Sequence, residues 1–457
     1  MAMRPAARGR ALAAAIAGAA AFLAGAAASA GEPAAKHLTL DNGLKVYLVE
    51  KRGWPLVNAV LAVNAGVKDE SSETRGLVHL LEHCILFRGT LRRSGGQVAR
   101  EVREHGAYFN AHTGEDLAWF EISVPAEHAE FALSNQKETV FDLEISQAEL
   151  DGEKPVVLEE ISQIEDDPFR YATALAYRHL FKGHPYGFPI FGDKEVIRKL
   201  EAAQLRDFHR RFFVPANCAL AVVGDLALAD MEEMVRRVFG VLPASPFERA
   251  EYAMAGELSE GTDLVVEMDV QKSYLVIAMP APDIRSSDQY AVDLLTEIIG
   301  RGVDPMLYSA LTGRRRLAET LSMSYQAMRY GGAILIFISQ DPRDLAGAKR
   351  EAKSFLKTAR ERDFSPDDFY GEQQLRAMDY LAGAKNQVRH KAWRAEEKGL
   401  GLAASLAGYL LLGEGTAAAP YLESIDKVKS GDLRKAAGKY LNRSEFVMIS
   451  VVPRKQD

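Results

Sequence analysis

The N-terminal half of the chain shows two hydrophobic periodicities, one typical of strands and one typical of helices. Residues 38–49 form two alternating runs around Asp41-Asn42-Gly43, which predicts a β-hairpin. Apolar patterning also predicts strands at 56–64, within 108–124 and at 218–223. Helical spacing predicts helices at 77–87, 94–105, 127–140, 148–165 and 171–182. The first half therefore mixes strands with helices.

A polar, proline-containing stretch from about 242 to 262 interrupts this pattern. Beyond it, strands are predicted at 273–278, 322–328, 333–339 and 445–452. Helices are predicted at 289–299 and 306–311, with more helices before the last strand. This order resembles that of the first half, so we expect two structural repeats of the α+β class. We place the domains at 31–245 and 263–457, joined by a linker at 246–262.

Composition agrees with a two-domain globular protein. The chain has 457 residues, which is too long for one ordinary hydrophobic core. Hydrophobic residues make up 47% and charged residues 26%, and the net charge is -7. A mildly acidic chain gives no indication of nucleic-acid binding.

The first 30 residues differ in composition from the rest. Three arginines precede an alanine-rich apolar run, which ends in Ala28-Ser29-Ala30. This arrangement predicts a secretory signal peptide at 1–30 and an exported, periplasmic protein. A mitochondrial transit peptide, with a matrix location, and an uncleaved membrane anchor are the alternatives. No later stretch reaches the roughly 20 apolar residues that span a bilayer, so we expect a soluble mature chain.

The segment His79-Leu80-Leu81-Glu82-His83 carries the candidate chemistry. On a helix, His79 and His83 lie one turn apart on one face, with Glu82 beside them. Two imidazoles at this spacing can bind one Zn²⁺, and the carboxylate can reach a metal-bound water. The order H-x-x-E-H is the signature of the inverzincins. The alternative is a helix face whose two histidines hold no metal.

A catalytic zinc needs a third protein ligand, and the helix predicted at 148–165 offers one. With Glu153 at 0°, helical geometry puts Glu160 at about -20° and Glu159 at about -120°. Apolar Val157 and Ile164 share the face of Glu160, where a carboxylate is costly unless it is paired or binds metal. Glu160 is thus the candidate ligand, Glu153 a candidate hydrogen-bond partner of a ligating histidine, and Glu159 a solvated charge. A buried salt bridge is the alternative for Glu160.

The spacing of these residues resembles the pitrilysin/insulysin family of zinc peptidases, which includes mitochondrial processing peptidase and bacterial two-domain members. Glu153 stands seven residues before Glu160, as in that family. The resemblance extends over about residues 37 to 452. Further matching segments are Phe87-Arg-Gly-Thr90, Phe109-Asn-Ala-His-Thr113, Val124-Pro-Ala-Glu-His128, His184-Pro-Tyr-Gly187, Phe213-Val-Pro-Ala-Asn217 and Val223-Gly-Asp225.

The resemblance implies a site and an activity. His79, His83 and Glu160 would bind one Zn²⁺ per chain, and Glu82 would be the general base of a metalloendopeptidase. It also implies two sandwich domains, each a mostly antiparallel sheet packed with helices, that enclose a chamber. The edge strand at Phe109, Asn110 and Ala111 would then bind an extended peptide by β-augmentation. A turn-stabilising role for Asn110 is the alternative.

The chain departs from the family pattern in its second half. Active members supply an Arg and, seven residues later, a Tyr, which bind substrate and help to stabilise the reaction intermediate. Thr312 and Glu319 stand at those positions here, although Arg314, Arg315, Arg316 and Tyr325 lie nearby. Because some bacterial relatives pair a zinc subunit with a homologous partner that carries Arg and Tyr, we expect this chain to be the zinc subunit of such a heterodimer.

Two other functions remain open at this stage. One is a non-catalytic peptide-binding or scaffold subunit that retains the zinc site, and the other is a processing peptidase for targeting sequences. The intact set of His79, Glu82, His83 and Glu160 favours cleavage of oligopeptides or unfolded segments. Of the two cysteines, Cys84 and Cys218, Cys84 is interpreted as a small buried residue, because it points about 100° away from His83 on a helix. A thiolate metal ligand is the alternative for Cys84.

Overall fold

The computed structural model describes residues 34–256, 258, 260–302, 305–313, 316–359, 361, 362, 364, 380–413, 418–441 and 446–454. The predicted signal peptide at 1–30 lies outside the described residues. Among the described helices, none is both long and apolar enough to cross a bilayer.

The first half contains a six-stranded sheet whose strands lie in the order β1-β2-β6-β3-β5-β4. Its neighbouring strands are antiparallel except for β2 and β6, which are parallel. The strands are β1 (Ala35–Thr39), β2 (Lys45–Glu50), β3 (Leu56–Val63), β4 (Tyr108–Thr113), β5 (Ala118–Pro125) and β6 (Cys218–Gly224). The first two form the hairpin that the sequence predicts.

Eight helices of the first half connect these strands among the described residues. They are α1 (Leu77–Phe87), α2 (Gly95–Glu104), α3 (Ala129–Phe141), α4 (Gln147–Asp166), α5 (Pro168–Leu180), α6 (Lys194–Ile197), α7 (Ala202–Phe212) and α8 (Leu228–Phe239). Asp167 separates α4 from α5, because its side chain accepts hydrogen bonds from the amides of Phe169 and Arg170. Pro168 then occupies the first turn of α5, where a missing amide hydrogen costs nothing. This break allows α5 to leave the direction of α4.

The second half contains a five-stranded sheet in the order β7-β11-β8-β10-β9. Its strands are β7 (Thr262–Met268), β8 (Ser273–Ala281), β9 (Thr320–Met328), β10 (Gly331–Gln340) and β11 (Val447–Pro453). Its described helices are α9 (Asp288–Thr296), α10 (Met306–Thr312), α11 (Leu345–Ala359), α12 (Tyr380–Glu397), α13 (Gly399–Leu412), α14 (Ala418–Lys427) and α15 (Ser430–Ala436). Residues Glu297–Arg301 continue α9 as one turn of π-helix.

Apart from the additional edge strand β1, the two sheets have the same topology, so the predicted repeat and the α+β class are confirmed. In each half the first strand of the repeat is parallel to the last, and all other neighbours are antiparallel. The strands β2, β3, β4, β5 and β6 thus correspond in order to β7, β8, β9, β10 and β11.

The halves exchange a helix with each other. Helix α5, from the first half, packs its Ala172, Ala176 and Leu180 against the second sheet. Helix α13, from the second half, packs its Ala403 and Ala407 against the first sheet. Each exchanged helix buries an apolar face on the other half, so two of the hydrophobic clusters contain residues of both halves. The boundaries at 245 and 263 stay a prediction.

Most predicted elements match the structure to within a few residues, but four were missed. No helix was predicted at 194–197, 202–212 or 228–239, and no strand was predicted at 262–268, directly after the polar stretch. Strand β7 alternates half-buried and exposed residues and lies at a sheet edge, so it lacks the apolar face of an inner strand. Its hydrogen bonds to β11 hold it in place.

Candidate metal centre

Helix α1 presents the two histidines and Glu82 from a buried position. His79 is 4% exposed, and His83 and Glu82 are each 9% exposed. The opposite face of the helix packs into the core of the first half through Leu80, Leu81 and other apolar side chains. Cys84 lies on this core face, as expected, and burial raises its pKa to about 12.

The start of α1 is fixed by two backbone features. Gly76 adopts a left-handed conformation with φ of 88°, and a Cβ there would lie 2.4 Å from Cα of Gly192. The buried carboxylate of Glu70 accepts hydrogen bonds from the amides of Gly76 and Val78, both at 2.9 Å. It therefore caps the helix N-terminus by hydrogen bonding, while burial raises the pKa of Glu70 to about 8.

Helix α4 brings Glu160 and Glu153 to the two histidines. Oε2 of Glu160 lies 3.5 Å from Nε2 of His79 and 3.3 Å from Nε2 of His83. Oε1 of Glu153 lies 2.9 Å from Nδ1 of His83. Glu159 is exposed on the other side of the helix, as expected. The helical geometry predicted from the sequence therefore matches the arrangement of these three glutamates.

The three candidate ligand atoms fit a metal ion. They all lie within 4.8 Å of one another, on one oxygen and two imidazole nitrogens. Ligand atoms around a tetrahedral zinc are about 3.4 Å apart, given bonds of about 2.0–2.2 Å. The two separations from Glu160 match this value. Three protein ligands leave a fourth position for water or substrate, as in catalytic zinc sites.

Each histidine is oriented so that Nε2 faces the candidate metal position. Nδ1 of His79 donates to the carbonyl oxygen of Phe191 at 3.3 Å, and the two rings meet edge to face. Nδ1 of His83 donates to the carboxylate of Glu153. A ring nitrogen that donates in this way leaves the other nitrogen as the lone-pair ligand.

The charges around the histidines favour a cation. Burial alone would lower the pKa of His83, but the hydrogen bonds to Glu153 and Glu160, together with the charges of Glu153 and Glu82, raise it to about 9. Hydrogen bonds from His79 and His83 hold the pKa of Glu160 well below its usual range. Glu160 therefore remains ionised and available as a ligand at neutral pH. Arg88 pairs with Glu153 and partly balances this negative charge.

Glu82 is held beside the metal ligands by a neighbouring strand. Its Oε2 accepts a hydrogen bond of 2.5 Å from the hydroxyl of Thr113, the last residue of β4. Among the described residues, β4 pairs only with β5 and forms the edge of its sheet. Phe109, Asn110 and Ala111 therefore lie on an open edge next to Glu82, and their contact with substrate stays a prediction. Asn110 donates to the hydroxyl of Tyr108 at 3.1 Å.

Sequence reasoning missed four residues that support the site. Arg88 and Thr113 fall inside segments that match the family, but nothing in their spacing indicates contacts with Glu153 and Glu82. Phe191 acts through its backbone carbonyl, which any residue type supplies. Glu70 is nine residues before His79, and only its hydrogen bonds in the folded chain identify it as a cap.

The second-half positions that depart from the family pattern have other contacts. The hydroxyl of Thr312 donates to the carbonyl of Tyr308 at 2.8 Å within α10. The Glu319 carboxylate pairs with Lys272. Tyr325, which a shifted register would use, donates its hydroxyl to the carbonyl of Pro282 at 2.8 Å. Arg314 and Arg315 lie outside the described residues.

Comparison with known proteins gives a consistent assignment. The family described as insulinase (peptidase family M16) matches residues 45–194, and the peptidase M16 inactive domain matches residues 199–375. A protein of Rickettsia felis named as a zinc protease is 25% identical over 404 residues, covering 88% of this chain and 93% of that protein. Zinc protease PqqE of Helicobacter pylori is 23% identical over 431 residues, covering 92% of this chain and 93% of that protein.

Solved structures agree on the fold. A protease from Helicobacter pylori superposes with a TM-score of 0.83 at 21% identity, covering 92% of this chain and 100% of that one. A peptidase M16 inactive domain structure from Pseudomonas fluorescens gives a TM-score of 0.79 at 22% identity, covering 93% of this chain and 99% of that one. Together with the matching family models and the zinc protease relatives, this places the chain, with its two repeated halves, in the pitrilysin/insulysin peptidase family M16.

Proposed function

We propose that this chain is a zinc-dependent endopeptidase subunit that cleaves oligopeptides or unfolded segments. The observation that carries the proposal is the convergence of His79, His83 and Glu160 on one position, with Glu82 beside them. The names of the relatives support zinc as the metal. A structural metal site would have no need of the additional carboxylate of Glu82.

The residues of the site would have separate roles in peptide hydrolysis. A zinc ion bound there supplies a Lewis acid that polarises the scissile carbonyl and acidifies water. Glu82 accepts a proton from the attacking water and passes it to the leaving amine. Thr113 holds the carboxylate of Glu82 in place, and Glu153 fixes the ring of His83. The open edge of β4 offers backbone groups to an extended peptide.

We further propose that the active form is a heterodimer of exported, periplasmic subunits. The side chains of Thr312 and Glu319 cannot perform the substrate-binding role of an Arg and a Tyr, and the hydroxyl of Tyr325 is bonded within its own half. A homologous partner without the zinc motif would supply the missing pair.

The decisive experiment measures zinc content and peptide cleavage for the chain alone and mixed with such a partner. We expect one zinc per chain in both preparations and cleavage only in the mixture. The Glu82→Gln variant should keep its zinc and lose about 10²–10⁴-fold in turnover. Full activity of the isolated chain would contradict the heterodimer, and zinc binding without cleavage in any mixture would indicate a peptide-binding scaffold.

A further inference from the structure

The turn between β4 and β5, at 114–117, packs against the backbone that leads into α1. The amides of residues 67 and 68 donate to the carbonyl oxygens of Gly114 and Glu115, at 3.1 and 3.0 Å. A Cβ at Gly66 would lie only 2.6 Å from the carbonyl oxygen of Gly114, so the two backbones are in close contact. The turn therefore lies directly on the segment whose end caps α1.

The carboxylate of Asp116, in this turn, joins three segments of the chain. The residue is 7% exposed. Its Oδ1 accepts a hydrogen bond from the hydroxyl of Tyr186 at 2.7 Å, and its Oδ2 accepts one from the backbone amide of Arg329 at 2.8 Å. The ammonium of Lys68 lies 4.0 Å from Oδ1. Because Tyr186 belongs to the loop after α5 and Arg329 to the turn between β9 and β10, both halves of the molecule hold this carboxylate.

Two further bonds connect the same turn to the second half. Nε2 of Gln326, on β9, donates to Oε2 of Glu115 at 2.7 Å. The amide of Tyr330 donates to the hydroxyl of Tyr186 at 3.2 Å, so Tyr186 links Asp116 to the second half as well. These groups are buried or half-buried, and a hydrogen bond is stronger where water is excluded. The turn is thereby fixed relative to both halves.

The turn in its place fixes the end of β4, which holds Glu82. Thr113 is the last residue of β4, and its hydroxyl donates to Oε2 of Glu82 at 2.5 Å. Among the described residues β4 pairs only with β5, so no second strand resists a shift of this edge. A shift of about 1 Å at Thr113 would break the bond, and a displacement of this size at a catalytic group can cost on the order of 100-fold in rate.

We propose that Asp116 is a positioning residue for Glu82: its contacts with both halves fix the turn after β4, and thereby the hydroxyl of Thr113 that holds the Glu82 carboxylate. This inference rests on the proposed peptidase function, which makes Glu82 the base. Asp116 acts only through Thr113. The second half then contributes to catalysis through the amide of Arg329, although it lacks the Arg and Tyr that the family pattern leads us to expect.

The main test variant is Tyr186→Phe, because it removes one hydrogen bond to Asp116 and leaves every buried charge in place. Thr113→Val removes the last contact of the pathway. Both variants and their double variant should keep one zinc per chain. Tyr421→Phe is the matched control, because the hydroxyl of Tyr421 donates to the carboxylate of Asp293, also at 2.7 Å, in the second half. Asp116→Asn, which keeps one acceptor oxygen, replaces Tyr186→Phe if that variant does not fold.

The first measurement uses the isolated chain with Co²⁺ in place of zinc, so that no cleavage is needed. The visible absorption of Co²⁺ responds to the groups that surround its ligands. Tyr186→Phe and Thr113→Val should shift the absorption band in the same direction, and the double variant should shift it no further than Thr113→Val alone. Tyr421→Phe should leave the band unchanged. The proposal is overturned if Tyr186→Phe causes no shift, or if its shift adds in full to that of Thr113→Val.

The second measurement follows cleavage of a fluorogenic oligopeptide by the chain mixed with its partner. Tyr186→Phe should lower kcat about 10-fold and leave KM unchanged, because the base acts in the transition state and not in substrate binding. In the Thr113→Val background the same change should cost less than about 2-fold, since the pathway is already broken. A higher KM with an unchanged kcat would contradict the proposal, because the turn would then act on substrate binding.

The positioning role and the peptidase function can fail separately. If the cobalt band behaves as expected but no mixture cleaves peptide, Asp116 still positions Glu82 and the peptidase function is wrong. If a mixture cleaves peptide and Tyr186→Phe retains its full kcat, the peptidase function stands and the positioning role is wrong.

Discussion

Helix α1 and the helix formed by α9 and its π-helical turn occupy equivalent places in the two halves. Each follows the second strand of its repeat, and each buries the same pattern of positions against its own core. The buried positions of the first helix are Leu77, Val78, Leu80, Leu81, Cys84 and Ile85, and those of the second are Ala291, Val292, Leu294, Leu295, Ile298 and Ile299.

This matching pattern assigns a counterpart to each residue of the metal motif. Asp293 stands in the place of His79, Thr296 in that of Glu82, and Glu297 in that of His83. The second half thus keeps two potential ligands one helical turn apart but has lost both imidazoles and the base.

The helices that face α1 and α9 in the two halves, α4 and α12, correspond as well. If Val157 of α4 is matched to Val388 of α12, both of which face their cores, Lys391 falls at the position of Glu160. The ammonium of Lys391 pairs with the buried carboxylate of Glu297, and Tyr421 donates to Asp293 at 2.7 Å. In the second half an ion pair therefore connects α9 and α12. In the first half a metal ion would connect the equivalent helices, α1 and α4. One scaffold supports both, because the helix positions are set by the core and the chemistry by a few facing residues.

Replacing His83, and separately its counterpart Glu297, should test this comparison with the largest effect. His83→Ala leaves the first site with two ligands and should reduce bound zinc from one per chain to nearly none. Glu297→Ala, its counterpart, should leave zinc at one per chain. Elemental analysis after dialysis measures both, and equal loss of zinc in the two variants would refute the assignment.

A smaller effect is expected from the residue that orients His83. Glu153→Gln keeps the shape of the side chain but weakens its hold on Nδ1, so zinc affinity should fall about 10–100-fold. The matched change Glu159→Gln, on the exposed side of the same helix, should have no effect. Competition with a chelator gives both affinities. An unchanged value for Glu153→Gln would mean that packing alone orients the ring.

The ion pair of the second half should contribute to stability and not to zinc binding. Lys391→Met leaves the buried Glu297 carboxylate with Arg301, at 3.7 Å, as its remaining ion-pair partner among the described residues. Because the lysine side chain is 46% exposed, we expect a loss of only about 1 kcal/mol in the free energy of unfolding. Urea denaturation measures this loss, with the exposed Lys398→Met as the control. A change in zinc content would contradict the separation of the two sites.

The last prediction concerns the pH dependence of stability. Burial raises the pKa of Asp293 to about 6, whereas an unfolded chain releases this proton near pH 3.9. The contribution of this group to stability is therefore full below about pH 4 and falls as the pH rises to about 6, by at most about 1.4 kcal/mol per pH unit. Asp293→Asn should remove this fall.

The matched control for this pH effect is Asp288→Asn. The hydrogen bond from Lys439 lowers the pKa of Asp288, so its contribution has the opposite sign and is lost as the pH falls through the folded pKa. Unfolding free energies measured across this pH range for both variants would show whether Asp293 causes the fall in stability. A fall of unchanged size in Asp293→Asn would show that another group causes it.

The sequence predicted local features well and long-range ones only through the family resemblance. The hairpin at 38–49, the helix at 77–87 and the face shared by Glu153 and Glu160 follow from periodicity alone, since neighbours on a helix or hairpin are set by fixed geometry. Strand β7 was not predicted, because an edge strand with two half-solvated faces has a weak hydrophobic pattern. Its place depends on pairing with β11, which is far away in the sequence.

By itself, the sequence determined that His79, Glu82 and His83 share one helix face and that Glu160 lies on a helix face with Glu153. Only the tertiary structure decided which groups complete the site. The hydroxyl of Thr113 and the carbonyl of Phe191 come from separate segments that meet α1 only in the folded chain. Such contacts depend on the burial of apolar faces between distant elements, and no local spacing in the chain records them.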